Sequence, residues 1–478
     1  MKALAAAALL VTQALAQGPY QPTRAALAAR PTPGWFTDAR FGVFIVWGPY
    51  SVPAWAPKGK YAEWYGYRVE TARAKNDMAD AWLAHHSLVY GVDFPYQGFV
   101  DRFRAEAFDA GAWAKLIADS GARYVVHSAK YHDGFAMWPS ADASRSWGKP
   151  WNSAEAGPKR DLVGDLDQAL RRRGIRSGLY YSIYEWFNPL YLKDWRKYRD
   201  EHLFPQFKDM VNRYKPDIVW LDGQWDHTFD EWRSGELAAW LFNESPVKDA
   251  VAVNDRWGGR RAMADTSGEP VVGYRTSEYE SGFDAAAGPW EENRGMGGSY
   301  GYNRNEDIQD YRSGQQLIRL LVEVASRGGN LLLDIGPSAD GRIPVIMQER
   351  LLEMGAWLKE NGEAIYGTSA GPVQQPGALT GAAKPDHAMT PAEEAKQAKE
   401  RKWATTARPG KIYLHLFEWP ANGKITVPIS SRSVNAARML AGGPDLKLGH
   451  EGPNVRITLP ARQTDLMPAV VVLDSPEP

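Results

Sequence analysis

The chain has 478 residues, 44% hydrophobic and 12% aromatic, which suffices for one large domain plus a smaller one and is too apolar for a disordered chain. Lys and Arg total 56 against 57 for Asp and Glu, so no strong field draws nucleic acid or an anionic membrane, while 20 Trp call for packing or a flat apolar ligand such as a sugar face. The absence of cysteine excludes disulfides, thiolate metal sites and cysteine nucleophiles.

Residues 1–16, MKALAAAALLVTQALA, have Lys2, an apolar stretch shorter than a membrane span, and Ala14-Leu15-Ala16 as a small-residue cleavage pattern. This is the layout of a secretory signal. It predicts an exported protein, periplasmic or secreted, with no membrane span after cleavage.

Apolar runs that read as buried parallel strands follow: FGVFIVWG from Phe41, ARYVVHSAK from Ala122, SGLYYSI from Ser177, DIVWLDG from Asp217, AVAVND from Ala250 and NLLLDIG from Asn330. Helical stripes lie between several of them. Trp113, Leu116 and Ile117 share a face before Gly121, Leu317, Leu320, Leu321 and Val324 repeat the spacing before Gly328, and Met347, Leu351, Met354 and Leu358 form a third stripe. Strands alternating with helices, with polar residues at the strand ends and no glycine-rich phosphate fingerprint, predict an α/β fold: an irregular TIM-like (β/α) barrel over residues 31–370. Not all eight strands of such a barrel can be placed from the sequence.

Past residue 370 the character changes. Residues near 377–402 are rich in Ala, Pro and charge and read as an exposed insertion, with a surface helix over the segment from Glu393 as the alternative. KIYLHLFEW, KITVPI, NVRITLP and AVVVLD then predict a C-terminal β-sandwich within 371–478.

Barrel active sites sit at the C-terminal ends of the strands. Asp222 ends the apolar run DIVWLD, and Glu278 ends GYRTSE. Such a pair suits glycoside hydrolysis with retention, in which an ionised carboxylate attacks the anomeric carbon and a protonated acid assists the leaving oxygen from about 5 to 5.5 Å away. The bland alternative has Asp222 capping the next segment and Glu278 paired with Arg275. His127, His132 and Asp133 match no zinc spacing, and a strand would point the two histidines to opposite faces, so no metal and no cofactor is expected. There is no G-x-S-x-G elbow for acyl transfer.

Taken together, WFTDARFGVFIVWGPYSVPAW, EWY, KYHDGF, GLYYSIYEW, DIVWLDGQW, VNDRWG, RTSEY, PWEENRGMGGSYGYNRNE and GGNLLLDIGPSADGRIP resemble the α-L-fucosidases of glycoside hydrolase family 29. The resemblance implies exo-acting, retaining hydrolysis of terminal α-L-fucosyl residues of an oligosaccharide or glycoconjugate through a covalent glycosyl-enzyme. It makes Asp222 the nucleophile and Glu278 the acid/base, with Glu291 and Glu63 as the other candidate carboxyls. It assigns Glu63, Trp64 and His132 to glycone hydroxyls, Arg256 to the neighbourhood of the acid/base, and Phe44, Tyr181, Trp220 and Tyr300 to an apolar wall against the C5 methyl. Gly223 would leave room for the sugar.

Two positions depart from the family pattern, Val46 and Tyr131, where histidines are usual. The departures keep open an α-L-glucoside or α-L-galactoside as substrate, and an inactive carbohydrate-binding relative.

Overall fold

The apolar runs become strands of one parallel sheet. In a computed structural model of the protein they are β1 Phe41–Ile45, β2 Tyr124–Lys130, β3 Arg176–Ser182, β4 Ile218–Asp222, the short β5 Ala252–Val253, and β8 Asn330–Ile335. Two further strands, β6 Arg275–Glu278 and β7 Trp290–Gly295, complete an eight-stranded sheet of order β5-β4-β3-β2-β1-β8-β7-β6. The edges β5 and β6 meet through a parallel bridge between Asn254 and Tyr274, with Tyr274 N–H donating to Val253 O at 2.9 Å. The sheet thus curls into the expected TIM-like barrel, irregular at that thin seam. The described residues are 18–259, 270–280, 282–375, 393, 396, 401–461 and 468–475; the expected signal segment 1–16 and nearly all of the expected insertion near 377–402 lie outside them.

Period-two alternation sorts the strand residues between two cores. Phe44, Tyr124, Val126, Tyr180, Ile218, Trp220 and Leu332 pack inside the barrel. Val43, Val125, Leu179, Tyr181, Val219, Leu221 and Leu333 face the surrounding helices. The predicted helical stripes lie on Ala110–Asp119, Gly314–Ser326 and Val345–Asn361, and each buries its apolar face in this outer core. Helix Gly314–Ser326 starts with a capping box from Ser313 and Gln316.

Strands β9 Ser369–Ala370, β10 Trp403–Arg408, β11 Lys411–Leu416, β12 Lys424–Ser430, β13 Ala436–Met439, β14 Lys447–Glu451, β15 Asn454–Thr458 and β16 Ala469–Asp474 follow. They form a five-stranded and a three-stranded sheet around Ile412, Leu414, Val427, Ile457, Val471 and Leu473, the predicted β-sandwich. Tyr413, Val470 and Val472 face the other way, into the outer core of the barrel. Trp357 Nε1 donates to Pro468 O at 2.8 Å across that junction. No described helix is long and apolar enough to cross a membrane.

Candidate active site

A cavity of about 690 Å³ opens at the C-terminal end of the barrel. β4 delivers Asp222 into it, two residues beyond the inward-facing Trp220, so alternation on a buried strand aims the carboxylate. Gly223 follows with φ +78°, and a Cβ there would stand 2.7 Å from Tyr184 Cβ and 2.8 Å from Ser182 Oγ. The glycine therefore admits the neighbouring strand end; the room it leaves is filled by β3, not by a sugar.

Arg256, in the loop after β5, joins the two predicted catalytic carboxylates. Its Nη1 donates to Asp222 Oδ1 at 2.8 Å and its Nη2 to Glu278 Oε2 at 3.1 Å. The guanidinium lies over the Trp220 ring at 4.5 Å, and its Nε reaches Thr276 Oγ1 at 3.2 Å. Tyr180 OH supplies Asp222 Oδ2 at 2.8 Å. Burial alone would raise the Asp222 carboxyl, but the Arg256 charge, His132 and the Arg256 and Tyr180 hydrogen bonds reverse that and hold it below the usual range. Glu278 stands nearer the mouth, its side chain 35% exposed, with Tyr61 OH donating at 3.4 Å. It pairs with Arg256 rather than with Arg275, whose Nε donates to Ala287 O.

His132 lines the cavity 3.5 Å from Asp222, while His127 faces the outer core, so the two histidines are on opposite sides of the barrel wall. The Ser182 hydroxyl donates to Tyr184 O and accepts at 2.6 Å from His132 Nδ1, which assigns the proton to that nitrogen. Burial lowers His132 to about 4, so it is a neutral ring beside Asp222 rather than an ion-pair partner. Glu63 is buried, accepts from Gly301 N at 2.8 Å, and is pushed by burial up to about 8, which keeps its proton on at neutral pH.

Phe44, Trp220 and Tyr300 form an aromatic floor, with ring centroids 5.3 Å and 6.1 Å from Phe44. Trp64 lines the side and packs on His132 at 5.4 Å. Val46 and Tyr131 both reach the cavity wall, Tyr131 stacked on Tyr180 at 5.6 Å.

Two further assignments do not hold. Tyr181 is turned out of the barrel: its hydroxyl donates to Gln206 Oε1 at 2.8 Å and its ring packs with Phe207. Tyr180 takes the expected place, because its register partner on β4 is the inward Trp220. Glu291 lies beneath the floor, off the cavity wall, held by Trp220 Nε1 at 2.8 Å and Tyr124 OH at 2.6 Å. Burial raises it to about 7, and its work is to hold the Trp220 indole. The sequence reading also missed Tyr61, Trp225, Asn293, Tyr279 and Glu280 on the cavity wall. Alternation puts Tyr180 and Tyr181 on opposite faces but does not say which points inward, and nothing local marks the others.

A parallel barrel with two carboxylates on one guanidinium above an aromatic floor is the site of a glycoside hydrolase. The alpha-L-fucosidase family model matches residues 7–363. An alpha-L-fucosidase of Dictyostelium discoideum is 39% identical over 467 residues, covering 94% of this chain and 93% of that protein. The human tissue alpha-L-fucosidase is 38% identical over 464 residues, covering 94% and 90%. The crystal structure of the Thermotoga maritima alpha-fucosidase in complex with fucose superposes with a TM-score of 0.75 at 33% identity, covering 95% of this chain and 100% of that one. The chain belongs to the alpha-L-fucosidase family of glycoside hydrolases.

Proposed function

We propose that the protein is an exo-acting α-L-fucosidase that releases terminal α-L-fucose with retention of configuration. The observation that carries this reading is Arg256, which bonds Asp222 and Glu278 at once. One guanidinium keeps the carboxylates close, in keeping with the about 5 to 5.5 Å of retaining enzymes rather than the about 6.5 to 9.5 Å that inversion requires. Asp222, held ionised by Arg256, attacks the anomeric carbon. The glycosidic C–O bond breaks as Glu278 gives its proton to the leaving oxygen. Glu278 then takes a proton from water, whose oxygen attacks the same carbon and frees Asp222. Glu278 suits the acid/base role better than Glu63 or Glu291, because it alone of the three stands at the open mouth where the leaving group departs. The Phe44, Tyr180, Trp220 and Tyr300 rings offer an apolar surface to a deoxy sugar's methyl group.

The test is Asp222→Ala against an aryl α-L-fucoside. Turnover is abolished, and azide restores part of the rate with a β-configured fucosyl azide as product. Wild-type activity in this variant, or direct release of the inverted sugar by the native enzyme, removes the reading.

A further inference from the structure

The cavity holds more than one sugar ring. Its volume is that of a site for a drug-sized ligand, and Asp222, His132 and the aromatic floor occupy only its inner end. The outer wall comes from the turn 57–60, from helix Tyr65–Ala74 and from the start of helix Ala81–Tyr90.

Two cations stand on that wall, Lys60 and Arg68, both exposed. Lys58 binds Asp307 at 2.6 Å and Asp310 at 2.8 Å, which ties the turn down and leaves Lys60 on the cavity side. Arg68 comes one helical turn after Trp64, on the same face. Arg73, farther along that helix, is neutralised by Glu70. Among the described residues no carboxylate lies within ion-pair distance of Lys60 or Arg68. The acids on the same wall are otherwise engaged. Asp80 caps helix Ala81–Tyr90, accepting from Trp82 N at 2.9 Å and Leu83 N at 3.2 Å. Glu280 is raised by burial and then by Glu292 and Glu278, which disfavours its charge.

We propose that the outer half of the cavity is a leaving-group subsite for an anionic sugar unit, bearing a carboxylate or a sulfate ester, with Arg68 and Lys60 as its counter-charges. The proposal rests on the fucosidase reading and deepens it. The planar guanidinium matches either anion with two parallel hydrogen bonds, the ammonium adds a point charge, and Trp82 on the same wall presents an apolar edge to a sugar ring. The anion is bound away from the breaking bond, so its contribution is felt in ground and transition state alike and appears in KM.

The experiment uses three α-L-fucosyl disaccharides of one linkage, whose second sugar is galactose, galacturonic acid or galactose 6-sulfate. The kcat/KM ratio of each anionic substrate to the neutral one is measured for the wild type, Arg68→Gln, Lys60→Gln, the double variant and Arg68→Glu. The ratio falls about twofold to tenfold for each cation removed, through KM, and falls further for Arg68→Glu. Raised ionic strength shrinks the wild-type preference. The better of the two anions identifies carboxylate or sulfate as the natural group. An identical ratio in the wild type and the double variant overturns the subsite while leaving the fucosidase reading standing. No turnover of any of the three by the wild type overturns that reading, and the subsite with it.

Discussion

Tyr180 donates its phenolic hydrogen to Asp222 Oδ2 at 2.8 Å, on the side of the carboxylate opposite the one Arg256 grips. Both oxygens of the carboxylate are therefore held, one from β3 and the other from the loop after β5. Tyr180→Phe keeps the ring and its stacking on Trp220 but removes that bond. The Asp222 pKa then rises, because the lost bond favoured the ionised form, and the acid limb of the kcat/KM profile moves to higher pH. A loss of roughly tenfold in kcat/KM is expected for one charge-assisted hydrogen bond. Tyr181→Phe, outside the barrel, leaves the limb in place; equal pH profiles for the two variants count against the assignment.

Glu63 links pH to stability. Its folded pKa of about 8 is above the ordinary carboxylate value, so its contribution to stability is full below that ordinary value and is lost as pH rises through about 8. The loss runs at up to about 1.4 kcal/mol per pH unit across that window. Glu63→Gln carries no titrating proton, so denaturant midpoints measured from acid to mildly alkaline pH decline less steeply than in the native protein. Parallel declines mean that Glu63 is ionised throughout.

Behind the site, Glu185 is a fully buried hub. It receives Lys130 Nζ at 2.6 Å, Trp147 Nε1 at 2.9 Å and Asn188 Nδ2 at 2.6 Å, and lies 2.7 Å from His202 Nε2. Lys130 ends β2 just before His132, and the backbone N–H of Trp186, next to Glu185, donates to His132 O at 2.8 Å. Glu185→Ala strands a buried ammonium and costs about 3 to 5 kcal/mol. Adding Lys130→Met restores much of that loss, since the uncompensated charge is gone. Chemical denaturation of the single and double variants reads this directly, and a double variant no more stable than Glu185→Ala denies the pairing its role.

At the inner end of the cavity, Val46 presents no polar atom to the glycone. A glycone hydroxyl facing it goes unpaired, at about 1 to 3 kcal/mol. Val46→His with Tyr131→His is expected to raise kcat/KM on aryl α-L-fucoside relative to aryl α-L-glucoside by roughly tenfold to a hundredfold. A native enzyme already strongly selective for the fucoside, and unmoved by the two histidines, shows that other groups read the sugar's C4 position.

Much of this protein follows from its sequence alone. The apolar runs determine β1 to β4 and β8, because a strand buried on both faces is largely apolar. Asp222 stands out for a related reason, as a charge ending a buried run, where it needs a partner or a function. β6 and β7 are not legible. Glu291 is polar because its partners Trp220 and Tyr124 lie across the barrel, and Thr276 because Asp255 and Arg256 lie across the seam between β5 and β6. Only the closed sheet brings those partners together. The same closure decided that Tyr180 rather than Tyr181 faces Asp222, that Glu291 supports the floor instead of lining the cavity, and that one guanidinium from the loop after β5 spans both carboxylates. Side-chain direction on a strand is set by register with its neighbours, and register is a property of the assembled sheet, not of any one segment.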